Sequence, residues 1–196
     1  MALTAWLARA TLAREGRARS GDMAARVKRH TGAAVLALLA GAAGAGPVSL
    51  GFEGHGAGAA PPEMAEDGFR LVTRNLVISG PGKSGDGTDG PHEIEGGMDA
   101  PGALAILRDA PFTFVSLDWQ AEAGTPVIRA EGYLGAHLVA REQFTTPEAS
   151  YVTFEAGALA GQVIDRLILY PQRDGAGMGA LDRVILDTAP EGPGMS

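Results

Sequence analysis

The chain has no cysteine, which excludes disulfides, so the fold must be held by its core or by a metal. Aromatic residues make up only 6% of the 196 positions. No apolar run reaches the ~20 residues that a membrane-spanning helix needs. No long stretch after residue 46 carries a helical period. Gly82-Lys83-Ser84 lies in a Gly-rich loop, but the first glycine of a phosphate loop would fall at Val77, so that motif is rejected. His92-Glu93 lacks the second histidine of a zinc helix, and no G-x-S-x-G elbow is present. Asp86-Gly87-Thr88-Asp89-Gly90 lacks the ligand spacing of an EF-hand and reads as a solvated turn. Nucleophilic catalysis therefore has no visible support.

Basic residues are also scarce once the N-terminal segment is set aside. Residues 1–45 hold seven of the 16 lysines and arginines, leaving nine against 21 acids in the remainder, a net charge of −12. So acidic a chain repels phosphate backbones, which argues against nucleic acid as a partner. Arg26, Lys28 and Arg29 precede an apolar stretch from Gly32 to Gly46 that contains Ala43-Gly44-Ala45. A charged start, a short apolar centre and small residues at a cleavage point describe a secretory signal peptide. Met23 opens this unit, so residues 1–22 read as an upstream extension. The expectation is a signal segment over 1–45 with a signal helix, a domain over 47–188 and a flexible tail over 189–196. A secreted or periplasmic protein follows, with no integral membrane segment in the mature chain.

What is present in quantity is hydrophobic residues, 45%, together with 29 glycines and 12 prolines. That mixture points to a sizeable core and many turns. Short runs of period two recur from Val48 onward. Val48-Leu50-Phe52 reads as a first strand, residues 54–67 as a loop and Phe69–Ser79 as an extended region. Residues 80–98 form the most loop-like part. Leu104–Arg108 leads into a β-prone run from Phe112 to Trp119. Pro126–Ala130 and His137–Phe144 flank Glu131–Gly135 as a hairpin, and Ser150–Glu155 gives another strand. Gln162–Pro171 and Gly179–Asp187 read as a closing pair joined by a Gly-rich bend. This cadence predicts an all-β fold, an antiparallel two-sheet jelly-roll sandwich.

Two constellations point to binding chemistry. Trp119 and Tyr133 have flat rings that can stack on sugars, although core or rim packing is the better reading of a strand-end aromatic in a small sandwich. Glu53 and Asp182 stand near the ends of the first and last strands, which lie side by side in a jelly roll. Two such carboxylates plus backbone carbonyls are a ligand set for Ca²⁺. The alternative is that Asp182 pairs with Arg166 or Arg183 on the surface. Paired carboxylates for glycoside hydrolysis cannot be singled out among 21 acids.

Gly51-Phe52-Glu53, the strand ending Ser116-Leu117-Asp118, the hairpin at Gly132 and Gly135, and Tyr151-Val152-Thr153-Phe154 share a pattern with Ile164-Asp165-Arg166-Leu167 and Leu181-Asp182-Arg183-Val184. Together they resemble exported bacterial β-sandwich proteins. These include the carbohydrate-binding-module and galactose-binding-like jelly rolls and PEP-CTERM-type exoproteins, without the sorting tail of the last. The resemblance spans about residues 48–187. It implies a non-catalytic module for a glycan or surface polymer, with a structural calcium held by Glu53 and Asp182. A small exported polysaccharide hydrolase or lyase, and a matrix or surface-assembly protein, are the other classes open to such a chain.

Overall fold

The structure is a computed structural model that describes residues 46–80, 90–98, 100–174 and 176–188. The expected signal helix, the tail and the 86–90 turn up to Asp89 lie outside the described residues. Every regular element among the described residues is a strand. No helix there is long and apolar enough to cross a membrane.

The framework is a 22-residue strand, β7 (Ala103–Gly124), shared by two antiparallel sheets. Chain order around it is β1 (Pro47–Leu50), β2 (Gly58–Ala59), β3 (Glu63–Glu66), β4 (Phe69–Arg74), β5 (Leu76–Ser79) and β6 (Glu93–Gly96). After it come β8 (Val127–Leu134), β9 (His137–Thr145), β10 (Val152–Glu155), β11 (Ile164–Pro171), β12 (Arg173–Asp174) and β13 (Gly177–Asp187). In the back sheet the order is β3-β4-β7-β11-β8-β9. The front sheet runs β2-β5-β6-β13-β7-β10, with β1 and β12 also on β13. This is the all-β two-sheet sandwich that the cadence predicts. The first and last strands do lie side by side, Leu50 opposite Val184 and Pro47 opposite Asp187.

Local chemistry explains how one strand serves two sheets. Leu104 and Ile106 alternate toward the core in the first half of β7, and Leu117 and Trp119 do so in the second. Between them Asp109, Ala110 and Pro111 are exposed. The ladder to β11 shifts register there, from Leu107 opposite Arg166 to Phe112 opposite Ile164, so Pro111 falls where its missing N–H costs no ladder bond. Phe112 seals the crossover edge-on against Phe69, ring centroids 5.2 Å apart. A second crossing, from β4 to β5, takes one residue. Asn75 adopts a left-handed φ of 48°, a conformation that asparagine tolerates better than most residues, and its side-chain amide donates to the Ala100 carbonyl.

Three expectations are corrected. The apolar runs at β11 and β13 are not paired with each other: β11 lies between β7 and β8, whereas β13 joins β7, β6 and β1. Both are central strands rich in buried apolar residues, so apolar content does not tell which neighbour each takes. The expected loop over 54–67 contains β2 and β3, and the loop over 80–98 contains β6. Glu66 anchors this region by accepting the Gly51 and Phe52 N–H groups at 2.9 and 3.1 Å. That holds Phe52, at φ 65°, in the core.

Candidate functional site

The register of the back sheet arranges its outward side chains in three rows, because directly opposed residues share a face. Across one row run Arg70, Leu107, Arg166 and Tyr133; across the next Glu63, Val72, Ala105, Ile168, Glu131 and Arg141. Arg74 opposes Ala103 on the third, where Tyr170 opposes Arg129 and Arg129 opposes Gln143. Val72, Ala103, Ala105 and Ile168 are buried yet stand apart from the central core. Small residues in the middle and long ones around them make a floor with walls.

At one end of this face the walls form a hydrogen-bonded set. The Tyr133 and Tyr170 hydroxyls both donate to Glu131 Oε2, at 2.8 and 3.1 Å. Arg129 Nε meets Glu131 Oε1 at 3.3 Å. The Arg129 guanidinium lies 4.3 Å from the Tyr170 ring centroid, and that of Arg166 lies 4.6 Å from Tyr133, cation–π distances. Arg166 also donates to the Gly135 carbonyl at 3.0 Å, and Asp165 accepts the Gly135 N–H at 2.8 Å, so the β8–β9 turn is tied to β11. Both phenols are pushed above the usual tyrosine value, first by burial and then by the Glu131 carboxylate. They remain hydrogen-bond donors well into alkaline solution.

The outward face of the front sheet is chemically different. Glu93, Glu95 and Glu122 bring carboxylate oxygens within 4.8 Å of one another. Glu93 accepts from Ser79 at 2.8 Å, from Gln120 at 3.3 Å and from the Tyr151 hydroxyl. Arg173 meets Glu95 at 2.5 Å. Burial, then the charge of Glu122, raises the Glu95 carboxyl above its ordinary value. Glu93 and Glu95 are nearly inaccessible, 3% and 5% exposed.

The residues singled out from sequence fall in four places. Tyr133 lies on the back face in the set just described. Trp119 does not offer a ring to a ligand: it is fully buried opposite Leu181, with its indole N–H 3.4 Å from the Pro126 carbonyl. A strand-end aromatic was expected there, but residue 119 lies within the two-sheet core, where β13 covers it. Glu53 follows the end of β1 and accepts from His92, from its backbone N–H at 2.9 Å and its ring Nδ1 at 3.0 Å. Asp182 is fully buried at a bulge of β13, close enough to Tyr151 for its charge to be felt there. The surface pairing considered for Asp182 is not what forms. Arg183 meets Asp118 at 2.8 Å, and Arg166 serves the other sheet. Tyr170, Glu131, Arg129 and Arg166 escaped sequence reading, although alternation along β8 (Arg129, Glu131, Tyr133) was the signal available.

No family model matches the chain, and no curated protein matches it. Among solved structures, the chain is similar to a DUF4465 family protein from Bacteroides caccae (TM-score 0.44, 13% identity, 61% of this chain and 80% of that one). A family 29 carbohydrate-binding module from Piromyces equi has a TM-score of 0.43 at 12% identity over 72% of this chain and 91% of that one. A family 11 carbohydrate-binding module from Clostridium thermocellum, solved with a β-1,3-1,4-mixed-linked tetrasaccharide, gives 0.40 at 15% identity, covering 76% and 99%.

Proposed function

We propose that the domain is an exported, non-catalytic module that binds a glycan or surface polymer on the outer face of the back sheet. The observation that carries this reading is the convergence of Tyr133 and Tyr170 on Glu131, with Arg129 and Arg166 over the rings. Sugars combine apolar ring faces with hydroxyls that both donate and accept. A face that sets aromatic rings beside a carboxylate and guanidinium donors matches both features. Glycan-array binding and calorimetry test it. Wild type should bind at least one polysaccharide, and Tyr133→Ala and Tyr170→Ala should weaken binding without lowering the melting temperature in step. Absence of binding above background across the array would remove the reading.

A second reading is a small hydrolase or lyase, favoured by the clustered oxygens of Glu93, Glu95 and Glu122 beside Tyr151. Retaining hydrolases place two carboxyls ~5 Å apart. Burial of Glu93 and Glu95 speaks against substrate access, which is why binding ranks first. Polysaccharide cleavage by the wild type that disappears in Glu93→Gln would reverse that ranking.

Calcium at Glu53 and Asp182 belongs to the same proposal as a structural clamp. Carboxylate oxygens suit it, but Glu53 would first have to release His92. A melting temperature that falls in EDTA, and no longer does so in Asp182→Ala, supports it; an EDTA-insensitive melt removes it.

A further inference from the structure

We infer that the glycan taken by the back face is anionic, a polysaccharide bearing uronate carboxylates or sulfate esters; this rests on the reading of that face as the binding site. The argument is one of charge placement. Only nine lysines and arginines follow residue 45, against 21 acids. Five of the nine, Arg70, Arg74, Arg129, Arg141 and Arg166, fall on this one face by strand register, and only Glu63 and Glu131 share its rows. Asp165 at the rim still leaves cations in excess. Glu63 meets Arg70 at 3.7 Å and Glu131 meets Arg129. Among the described residues neither Arg141 nor Arg166 has a carboxylate partner.

A neutral sugar gives no reason to gather arginine on an acidic domain. Uronate and sulfate groups do, because their paired oxygens accept two N–H bonds from one guanidinium. The Tyr133 and Tyr170 hydroxyls donate to Glu131, which keeps that carboxylate engaged beside such a ligand. The negative remainder of the domain repels a polyanion everywhere else, which confines contact to this face and disfavours a nucleic-acid duplex.

Affinity electrophoresis of the full chain in gels containing dextran, dextran sulfate, mixed-linkage β-glucan or alginate tests this. Retardation by dextran sulfate or alginate but not by the neutral polymers is expected, and which of the two retards assigns sulfate or carboxylate. The effect should fade as salt approaches ~1 M, where charges are screened within about 3 Å. Arg141→Gln and Arg166→Gln should each weaken it about tenfold, the loss of one charge-assisted bond. Arg108→Gln, which removes the same charge away from this face, should bind as wild type. Equal or exclusive retardation by the neutral polymers overturns the inference and leaves the glycan reading intact. No retardation in any gel overturns both, as does binding only to a single-stranded oligonucleotide added as a competitor.

Discussion

Tyr133 and Tyr170, on neighbouring strands, donate to the same oxygen of Glu131. This shared acceptor couples β8 to β11 on the outer face. Glu131→Gln keeps the shape and the burial that chiefly raises both phenols, but removes the charge that raises them further. Ultraviolet titration should then show both ionising at lower pH than in the wild type. The sign for stability follows. A phenol whose folded value lies above 10.0 contributes stability that is present below the unfolded value and lost as pH climbs through the folded one. The alkaline limb of the melting curve should therefore be shallower in Glu131→Gln.

Glu95 behaves likewise at the acid end. Its folded value lies above 4.5, so its contribution is favourable below the unfolded value and declines as pH rises through the folded value. Glu95→Gln should flatten that limb and leave the melting temperature at neutral pH unchanged or higher, despite the loss of the Arg173 partner. A clear drop at neutral pH would show that the ion pair outweighs burial and the repulsion from Glu122.

Glu66 is the reverse case in its bonding. Burial raises its carboxyl even though two backbone N–H groups bind it. Glu66→Ala strands those donors and should cost about 1–3 kcal/mol in urea unfolding, with no effect on ligand binding at the back face.

Gly179 lies against the Trp119 ring so closely that a methyl group there would overlap it. Gly179→Ala should destabilise by about 1–3 kcal/mol and shift tryptophan emission, since the indole must move within a packed core.

Legibility in the sequence followed burial chemistry. Strands with apolar residues facing a core, such as Pro126–Ala130 and Phe112–Trp119, are visible as alternation, although the first runs on to Leu134 through residues that read as the hairpin turn. The strand at Glu93–Gly96 was not, because it turns two glutamates outward on a face that is itself buried and leaves Ile94 as its one core side chain. Glu63–Glu66 hid for a similar reason, with Met64 its lone buried apolar residue. The uninterrupted run of β7 was masked by Asp109-Ala110-Pro111, which resembles a turn and is a bulged crossing. On the back face, Tyr133 stands out as an aromatic, but Arg166 and Tyr170 become neighbours of it and of Glu131 only through pairing of β8 with β11. Trp119 is open to both a ligand-stacking and a core reading because period two does not say which of two faces is inside, and its burial is the core outcome.

The two halves of β7 belong to different sheets yet are one covalent strand, hydrogen-bonded to β4 and β11 at one end and to β13 and β10 at the other. Opening either sheet frays the rail on which the other is hung. Amide exchange at Leu117 and Trp119, deep in the front sheet, should therefore slow when a ligand occupies the back face, although neither residue comes near it.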